Sequence, residues 1–435
     1  MINVLSLVLM LSILLQAQVI SYKELLESAS SQSNKLKIFK SDEQIQSSNI
    51  ETLYGDYYPS LALSYNTEYN RDLNGFSSGS ESIGDTIITD GTRYQSSLSL
   101  NLNYELYHFG TTDDSIRIAK KELDIKKLIW CEEEKKLHQN ILDRYSSAIK
   151  SKIKKDLKAQ MLEIRHQLYK IKQRLYVAGK YSKVDLGDEA ITIIDLQRDI
   201  ELSLLQYQED LLQLSNLSHI KIDENTTQLL EIGIGKEKEQ TNMAFNKTAL
   251  GYKYINQIKQ KYQEISKLKN SQYPSISMYG NYYMYGTDKN NVSGSFDNIR
   301  QNSWKLGLAI RINIFEGFKY KNNSQTLKYE LQRIKQERDL TAREYEYNLN
   351  TKQSKISHLK IMQEKDQDLY DKTAQKIAMI KRLRKNHQVD RASELNALLE
   401  SLQRELNLKI EKCDRAYERA SLDIAYRGVN QCTQH

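Results

Sequence analysis

Two stretches of this chain, Thr111 to Ala178 and Phe318 to Arg427, run for 68 and 110 residues without a glycine or a proline. Nothing in either stretch forces a helix to stop. At about 1.5 Å of rise per residue, 68 helical residues reach about 100 Å, which no compact domain can contain. Both stretches follow the same kind of sequence. The chain's only two prolines, Pro59 and Pro274, lie in Tyr58-Pro59-Ser60-Leu61 and Tyr273-Pro274-Ser275-Ile276, 215 residues apart. Each opens a pair of alternating segments that leads into a long helix. Repetition on this scale describes one unit written twice. It divides the chain into a leader (1–17), repeat 1 (18–230), repeat 2 (231–428) and a tail (429–435), each repeat running helix, strand pair, long helical hairpin. Tyr22 to Leu53 and Thr241 to Lys269 are the matching first helices.

The alternating segments have two faces. Leu61, Leu63, Tyr65, Thr67 and Tyr69 alternate with Ala62, Ser64, Asn66 and Glu68. Leu98, Leu100, Leu102, Tyr104 and Leu106 alternate with Ser97, Ser99, Asn101, Asn103 and Glu105. In the second half Trp304, Leu306, Leu308, Ile310, Ile312 and Ile314 alternate with Lys305, Gly307, Ala309, Arg311 and Asn313, and Ile276 to Tyr285 behaves similarly. Period two predicts strands with one apolar face. Strands of roughly 9–11 residues suit a tilted bilayer crossing, and the polar face suits a wet lumen. Leu308 would then face lipid and Asn313 the lumen. The loops 70–93 and 286–303 are rich in Gly, Ser, Asn and Asp. Tyr57, Tyr58, Tyr107, Phe109, Tyr273, Phe315 and Phe318 gather where strands meet helices, as aromatics do at a membrane–water boundary. Four strands cannot close a barrel, and an open edge is forbidden in lipid because its backbone groups go unpaired. Strands that cross a membrane must therefore be completed by further copies of the chain.

Composition agrees with an object wet on more than one surface. Hydrophobic residues make up 39% of the chain, and mean hydropathy is −0.65. A large dry core needs more than this. The 63 basic and 56 acidic residues are interleaved, and a net charge of +7 so distributed reads as a solvated helical surface, with no nucleic acid as partner. Ile2 to Val19 is apolar and uncharged, with Leu15-Gln16-Ala17 as a cleavage site, so it resembles a secretory signal without the usual Lys or Arg. Cys131, Cys413 and Cys432 lack the spacing of a disulfide framework or a metal knot, and a Cys413–Cys432 bridge stays open. Gly75-Phe76-Ser77-Ser78-Gly79 has the letters of a nucleophile elbow but sits in a Ser-rich loop rather than between a strand and a helix. The seven histidines are scattered, and no phosphate-binding glycine loop occurs. The sequence asks for no catalytic residue, no metal and no cofactor.

Within the helical stretches, Leu157, Met161, Ile164, Leu168, Ile171 and Leu175 step 4-3-4-3-4. Leu395, Leu399, Leu402 and Leu406 step 4-3-4, and Cys413, Tyr417, Ala420 and Ile424 resume in phase. These are coiled-coil seams. Thr111 with Asp114 has the spacing of a capping box. Gly179 can end a helix and Ser182 can cap the next, giving an antiparallel hairpin. Arg382 to Leu395 is its counterpart, without a glycine.

Order and repetition together resemble the TolC-like outer-membrane factor family over nearly the whole chain. Leu106-Tyr107-His108-Phe109-Gly110 and Ile314-Phe315-Glu316-Gly317-Phe318 look like its strand-to-helix junctions. Tyr176-Val177-Ala178-Gly179-Lys180-Tyr181-Ser182, with Asp185-Leu186, looks like its hairpin tip. The resemblance implies an α+β membrane protein in the bacterial outer membrane. A homotrimer would build one 12-stranded barrel, continued by a long helical barrel through the periplasm. It also implies a periplasmic adaptor (membrane fusion) protein docked at the tips, around Gly179, Lys180, Ser182, Asn386 and His387, and an inner-membrane transporter behind it. Carboxylates that narrow the tunnel mouth fall on Glu394, with Ala397 at the next such position, while the first hairpin offers Asp185 and Asp188. Tyr58, Tyr107, Phe109, Tyr273 and Phe315 would mark the membrane interface. The implied function is a passive export duct of a tripartite efflux or type I secretion system. The alternative is a structural or adhesive coiled-coil surface protein with no channel.

Overall fold

A computed structural model describes residues 18–71, 92–224, 227–233 and 244–426. The Gly75–Gly79 motif, Cys432, the leader and the tail lie outside these residues. The described chain forms two compact units. One contains Glu43–Ile125 and Tyr254–Gln336; the other contains Met1–Asp42, Lys126–Lys253 and Glu337–His435. Compactness thus divides the chain along a different line from the repeats, because each repeat sends its strands to one unit and most of its long helices to the other.

The first unit is built on a four-stranded antiparallel sheet in the order β2-β3-β5-β6. Its strands are β2 (Ser60–Arg71), β3 (Thr92–Tyr107), β5 (Ser275–Asp288) and β6 (Gln301–Arg311). The register puts Leu63 opposite Leu100, Leu100 opposite Tyr282, and Tyr282 opposite Trp304. Leu61, Leu102, Gly280 and Leu306 form the next row on the same face. Pleating sends every intervening residue to the other face. There Asn101 lies opposite Asn281, and Asn281 opposite Lys305. Three of the strands are longer than the apolar run alone suggests, because the ladder continues into polar residues such as Arg71 and Thr92. β6 ends earlier than the alternation does. Ile312, Ile314 and Phe315 lie beyond it, where Asn313 donates to the Glu316 carboxylate (2.5 Å). Asn313 therefore lies past the end of the strand and is not the lumen-facing strand residue the alternation predicts.

Parts of helices α2 (Asn34–Tyr54), α3 (Thr111–Val177), α5 (Ala249–Asn270) and α7 (Lys319–Lys385) complete this unit, with a short helix α6 (Val292–Asp297) between β5 and β6. The capping box anticipated for Thr111 and Asp114 does not form. His108 caps α3 instead, its Nδ1 accepting from the Thr112 N–H (3.3 Å). Asp114 is buried and accepts from the Asn270 side chain (2.8 Å), tying the end of α5 to the start of α3.

The second unit is helical. β1 (Gln18–Ile20) pairs in parallel with β4 (Thr227–Leu229). The buried hydroxyl of Tyr145 donates to the Leu230 carbonyl (2.6 Å) beside that of Ile20 (3.2 Å). Ile20, Leu25 and Ala29 pack with Ile141, Tyr145, Tyr207, Leu211 and Leu214 in the principal core. The first helix, expected to run unbroken from Tyr22 to Leu53, is two helices: α1 (Tyr22–Gln32), opened by a Ser21–Glu24 capping box, and α2. Ser33 leaves helical geometry between them and its hydroxyl accepts from the Leu36 N–H (3.4 Å), so a local side-chain bond competes with the helix. Its counterpart α5 starts at Ala249, where Thr248 Oγ1 accepts from the Gly251 N–H (3.0 Å).

The remaining helices are α4 (Lys183–Ser218) and α8 (Arg391–Ala425). The two heptad seams read from the sequence meet: Leu168 on α3 packs against Leu395 and Leu399 on α8, flanked by Met161, Ile164 and Ile171. Each hairpin is also zipped by charge. Lys172–Glu189 (2.6 Å) and Lys158–Asp199 (2.7 Å) join α3 to α4, and Lys376–Glu400 (2.7 Å) joins α7 to α8. Cys131 and Cys413 are free thiols, and burial raises Cys413 to about 11.

Candidate functional site: the strand sheet and the hairpin tips

The sheet has one apolar and one polar face, and both are described within its own unit. On β6, Trp304, Leu306, Leu308 and Ile310 are between 63% and 76% exposed. Leu61 and Leu63 on β2 are as open. Such a stretch of apolar surface on a single chain marks a surface meant to be covered. The opposite face carries a polar ladder: Ser99 donates to Ser64 (3.4 Å), Asn101 to Ser64 (3.5 Å), and Asn281 to Asn101. Among the described residues, β2 and β6 each pair on one side only, so both lateral edges present unpaired backbone groups.

The aromatics singled out in the sequence collect at the strand-to-helix junctions. Tyr107 meets Phe109 edge-on (4.6 Å between centroids), and Phe109 stacks on Tyr273 (5.4 Å). Phe315 meets Phe318 edge-on (5.7 Å), and Tyr58 is exposed beside Pro59. Both junctions use left-handed backbone at two consecutive residues, Phe109-Gly110 and Gly317-Phe318. These pairs are 208 residues apart, with Phe and Gly in exchanged order. The 215-residue offset of the prolines therefore shrinks by seven within the strand pairs.

The tips lie in the helical unit and repeat the same 208-residue offset. At the first, Gly179 takes φ +70°. The Lys180 N–H bonds to the Leu175 carbonyl (2.8 Å) and the Gly179 N–H to that of Tyr176 (2.9 Å), the paired bonds of a Schellman ending. Ser182 then caps α4 by accepting from the Asp185 N–H (3.0 Å). At the second, His387 takes the glycine's place with φ 57°. Gln388 bonds to Leu383 (3.0 Å), His387 to Arg384 (3.0 Å), and Asp390 caps α8 by accepting from Ser393 (2.8 Å). Within the counterpart region Arg382 to Leu395, Asp390 is therefore the equivalent of Ser182. Lys180, Ser182, Asn386 and His387 are all exposed.

The three carboxylates considered for a narrowed mouth have different surroundings. Asp185 accepts from the Ser182 hydroxyl (2.6 Å) within the cap, and Asp188 is exposed. Glu394 is buried and held by Arg384 and by Arg391 (2.6 Å). Burial opposes its charged form, but the hydrogen bonds and charges of the two arginines outweigh that and hold its carboxyl below the usual range. It is the anchor of the second tip. Glu189 does the same at the first tip, buried between Arg165 (3.1 Å) and Lys172 (2.6 Å). Reading the sequence missed Glu189. The signal was there once the turn was placed at Gly179–Ser182, since residues equidistant from a hairpin turn face each other, as Lys172 and Glu189 do. Exposed apolar side chains also run down the outer faces of the hairpins: Val184, Ile191, Leu205 and Leu212 on α4, seven residues apart but for Arg198, and Leu340, Tyr347 and Ile361 on α7. Among the described residues no group of His, Cys, Asp and Glu could hold a metal ion, and no helix is long and apolar enough to cross a membrane.

Comparison with known proteins places this geometry. Residues 25–218 match the outer membrane efflux protein family. No curated protein sequence matches the chain. Among solved structures, the Campylobacter jejuni CmeC outer membrane channel aligns with a TM-score of 0.78 at 12% identity, covering 94% of this chain and 88% of that one. The Vibrio cholerae outer membrane protein VceC aligns with a TM-score of 0.71 at 14% identity, covering 93% and 94%. The open state of the Neisseria gonorrhoeae MtrE outer membrane channel aligns with a TM-score of 0.69 at 16% identity, covering 93% and 88%. Residues 25–218 thus match the outer membrane efflux protein family, and the described chain shares the fold of solved outer membrane channels over nearly its whole length.

Proposed function

We propose that this protein is a passive export duct and performs no chemical reaction. Three copies complete one 12-stranded barrel in outer-membrane lipid, and the hairpins line a helical conduit through the periplasm. The observation that carries this reading is the two-faced sheet with both edges unpaired. An even number of strands per chain lets the β6 edge of one copy pair antiparallel with the β2 edge of the next. One copy has too few strands to close, and eight strands leave an interior filled by side chains. Twelve leave room for a water-filled lumen lined by the Ser64–Asn101–Asn281 ladder. The exposed seams of α4 and α7 are the surfaces that neighbouring copies would bury.

In this reading a periplasmic adaptor docks at the tips around Gly179, Lys180, Ser182, Asn386 and His387. An inner-membrane transporter supplies cargo and energy in a tripartite efflux or type I secretion system. Glu189 and Glu394 keep the tips rigid for docking, while Asp185 and Asp188 are the carboxylates that remain to face the mouth. The two repeats, 18–230 and 231–428, are the halves that make the wall pseudo-symmetric. Purified protein in detergent is expected to have the mass of a trimer and to open steady conductances in a planar bilayer. A monomer that conducts nothing would favour the adhesive coiled-coil alternative and refute the duct.

A further inference from the structure

The connection between β5 and β6 does not project away from the sheet. Its helix α6 folds back onto the outer end of the apolar face. Ser295 is fully buried, and its hydroxyl lies 2.7 Å from that of Ser96 on β3. Ser96 stands in a row with Thr67 and Gly286. Its hydroxyl also meets those of Tyr65 and Thr67, each at 3.3 Å. Gly286 is required by this contact, since a Cβ there would collide with the Ser295 carbonyl and the Asn298 backbone. The strap is held at its start by Asn291, which accepts from the Gly294 N–H (2.6 Å), and by Asp288, which accepts from the Asn290 and Asn291 N–H groups (2.7 and 2.9 Å).

The consequence is a change in what the apolar face presents. Hydroxyls pointing into hydrocarbon without partners are costly. The strap covers the hydroxyl row and turns Phe296 and Val292 outward in its place, 56% and 44% exposed. Phe296 sits edge-on against Tyr65 (5.9 Å), which itself belongs to the apolar face. Lys289 and Arg300, at the two ends of the strap, are exposed.

We propose that α6 is a lipid-contacting strap: Phe296 and Val292 carry the membrane-facing band of the sheet across the hydroxyl row, and bilayer lipid is what covers them. The band thereby continues from Tyr65 and Leu98 across the hydroxyl row to the Tyr69–Tyr94 pair, at the level of aromatic and basic positions suited to the headgroup boundary. This inference rests on the reading of the Leu61–Leu308 face as lipid-facing.

The test uses the full chain reconstituted into phosphatidylcholine vesicles with either ordinary or brominated acyl chains. Trp130→Phe leaves Trp304 on the sheet face as sole tryptophan reporter. Trp130→Phe with Trp304→Phe and Phe296→Trp moves the reporter to the strap, and Val292→Trp in the same background gives a second strap reporter if the first fails to assemble. Emission from Trp304 and from both strap positions is expected to fall about twofold or more in the brominated vesicles, as for side chains at the acyl boundary. Quenching of Trp304 with unchanged emission from positions 296 and 292 overturns the strap proposal while leaving the lipid face standing. Unquenched Trp304 overturns the lipid-face reading and the strap with it.

Discussion

Leu308 and Ala309 are neighbours on β6 and lie at nearly the same depth, yet the pleat sends them to opposite faces. Leu308 shares its face with Trp304, Leu306 and Ile310 and is 68% exposed on the single chain, opposite Met278. Ala309 lies opposite Ser277, on the face of Asn281 and Lys305. Replacing Leu308 by arginine puts a cation into hydrocarbon and is expected to cost about 2–4 kcal/mol of barrel stability near the midplane. Replacing Ala309 by arginine puts the same cation in a wet, already polar lumen, and is expected to cost under about 1 kcal/mol. Because depth is common to both variants, the difference isolates the face. Denaturant titration of protein refolded into thin-chain lipid vesicles, followed by Trp304 fluorescence and by the gel shift of assembled barrel, measures both. Equal losses would show that the alternation has been assigned to the wrong surroundings. Asn313 cannot serve as this control, since it lies past the end of the strand.

The tips give a pair of substitutions of opposite sign. Gly179 has open space where a Cβ would go, so Gly179→Ala carries only the left-handed backbone cost, about 1 kcal/mol of local stability. His387→Gly relieves the same strain against a larger unfolded-state entropy, a net gain of about 0.5 kcal/mol. Hydrogen exchange across residues 172–189 and 380–395 should move in opposite directions, and a shared sign would refute the equivalence of the two turns. A pH dependence is expected from Glu411 on α8. Burial pushes its carboxyl up to about 7, helped by the hydrogen bond and charge of Asp366 and by the charge of Asp414. The folded state then holds the proton more tightly than the unfolded chain, whose value is about 4.3. Stability of the helical unit should therefore fall as pH rises from about 4.5 to about 7. Glu411→Gln should flatten that window in a thermal-melt series, and an unchanged slope would remove Glu411 from the account.

Much of this protein was legible in the residues. The absence of glycine and proline over the long stretches forecast helices α3, α7 and α8, because nothing interrupts backbone hydrogen bonding there. Alternation forecast the sheet and its two faces, since a period of two survives any register that keeps one face buried. Gly179 and Ser182 forecast the first tip through backbone chemistry that acts within five residues. The second tip was harder to place because His387 does a glycine's work, and propensity alone does not send histidine to a positive φ. Ser33 escaped notice for the same reason: serine is tolerated inside helices until its own hydroxyl finds a better bond.

The sequence by itself determined the local periods and the repetition, both consequences of covalent geometry and of which side chains tolerate water. Only the tertiary structure decided which distant residues share a site. The pairing of the Leu168 seam with Leu395, the burial of Glu189 and Glu394 between cations, and the folding of α6 onto Ser96 each join segments separated by loops or whole helices. Such contacts are fixed by how faces pack in space, and a linear pattern carries the faces but not their partners.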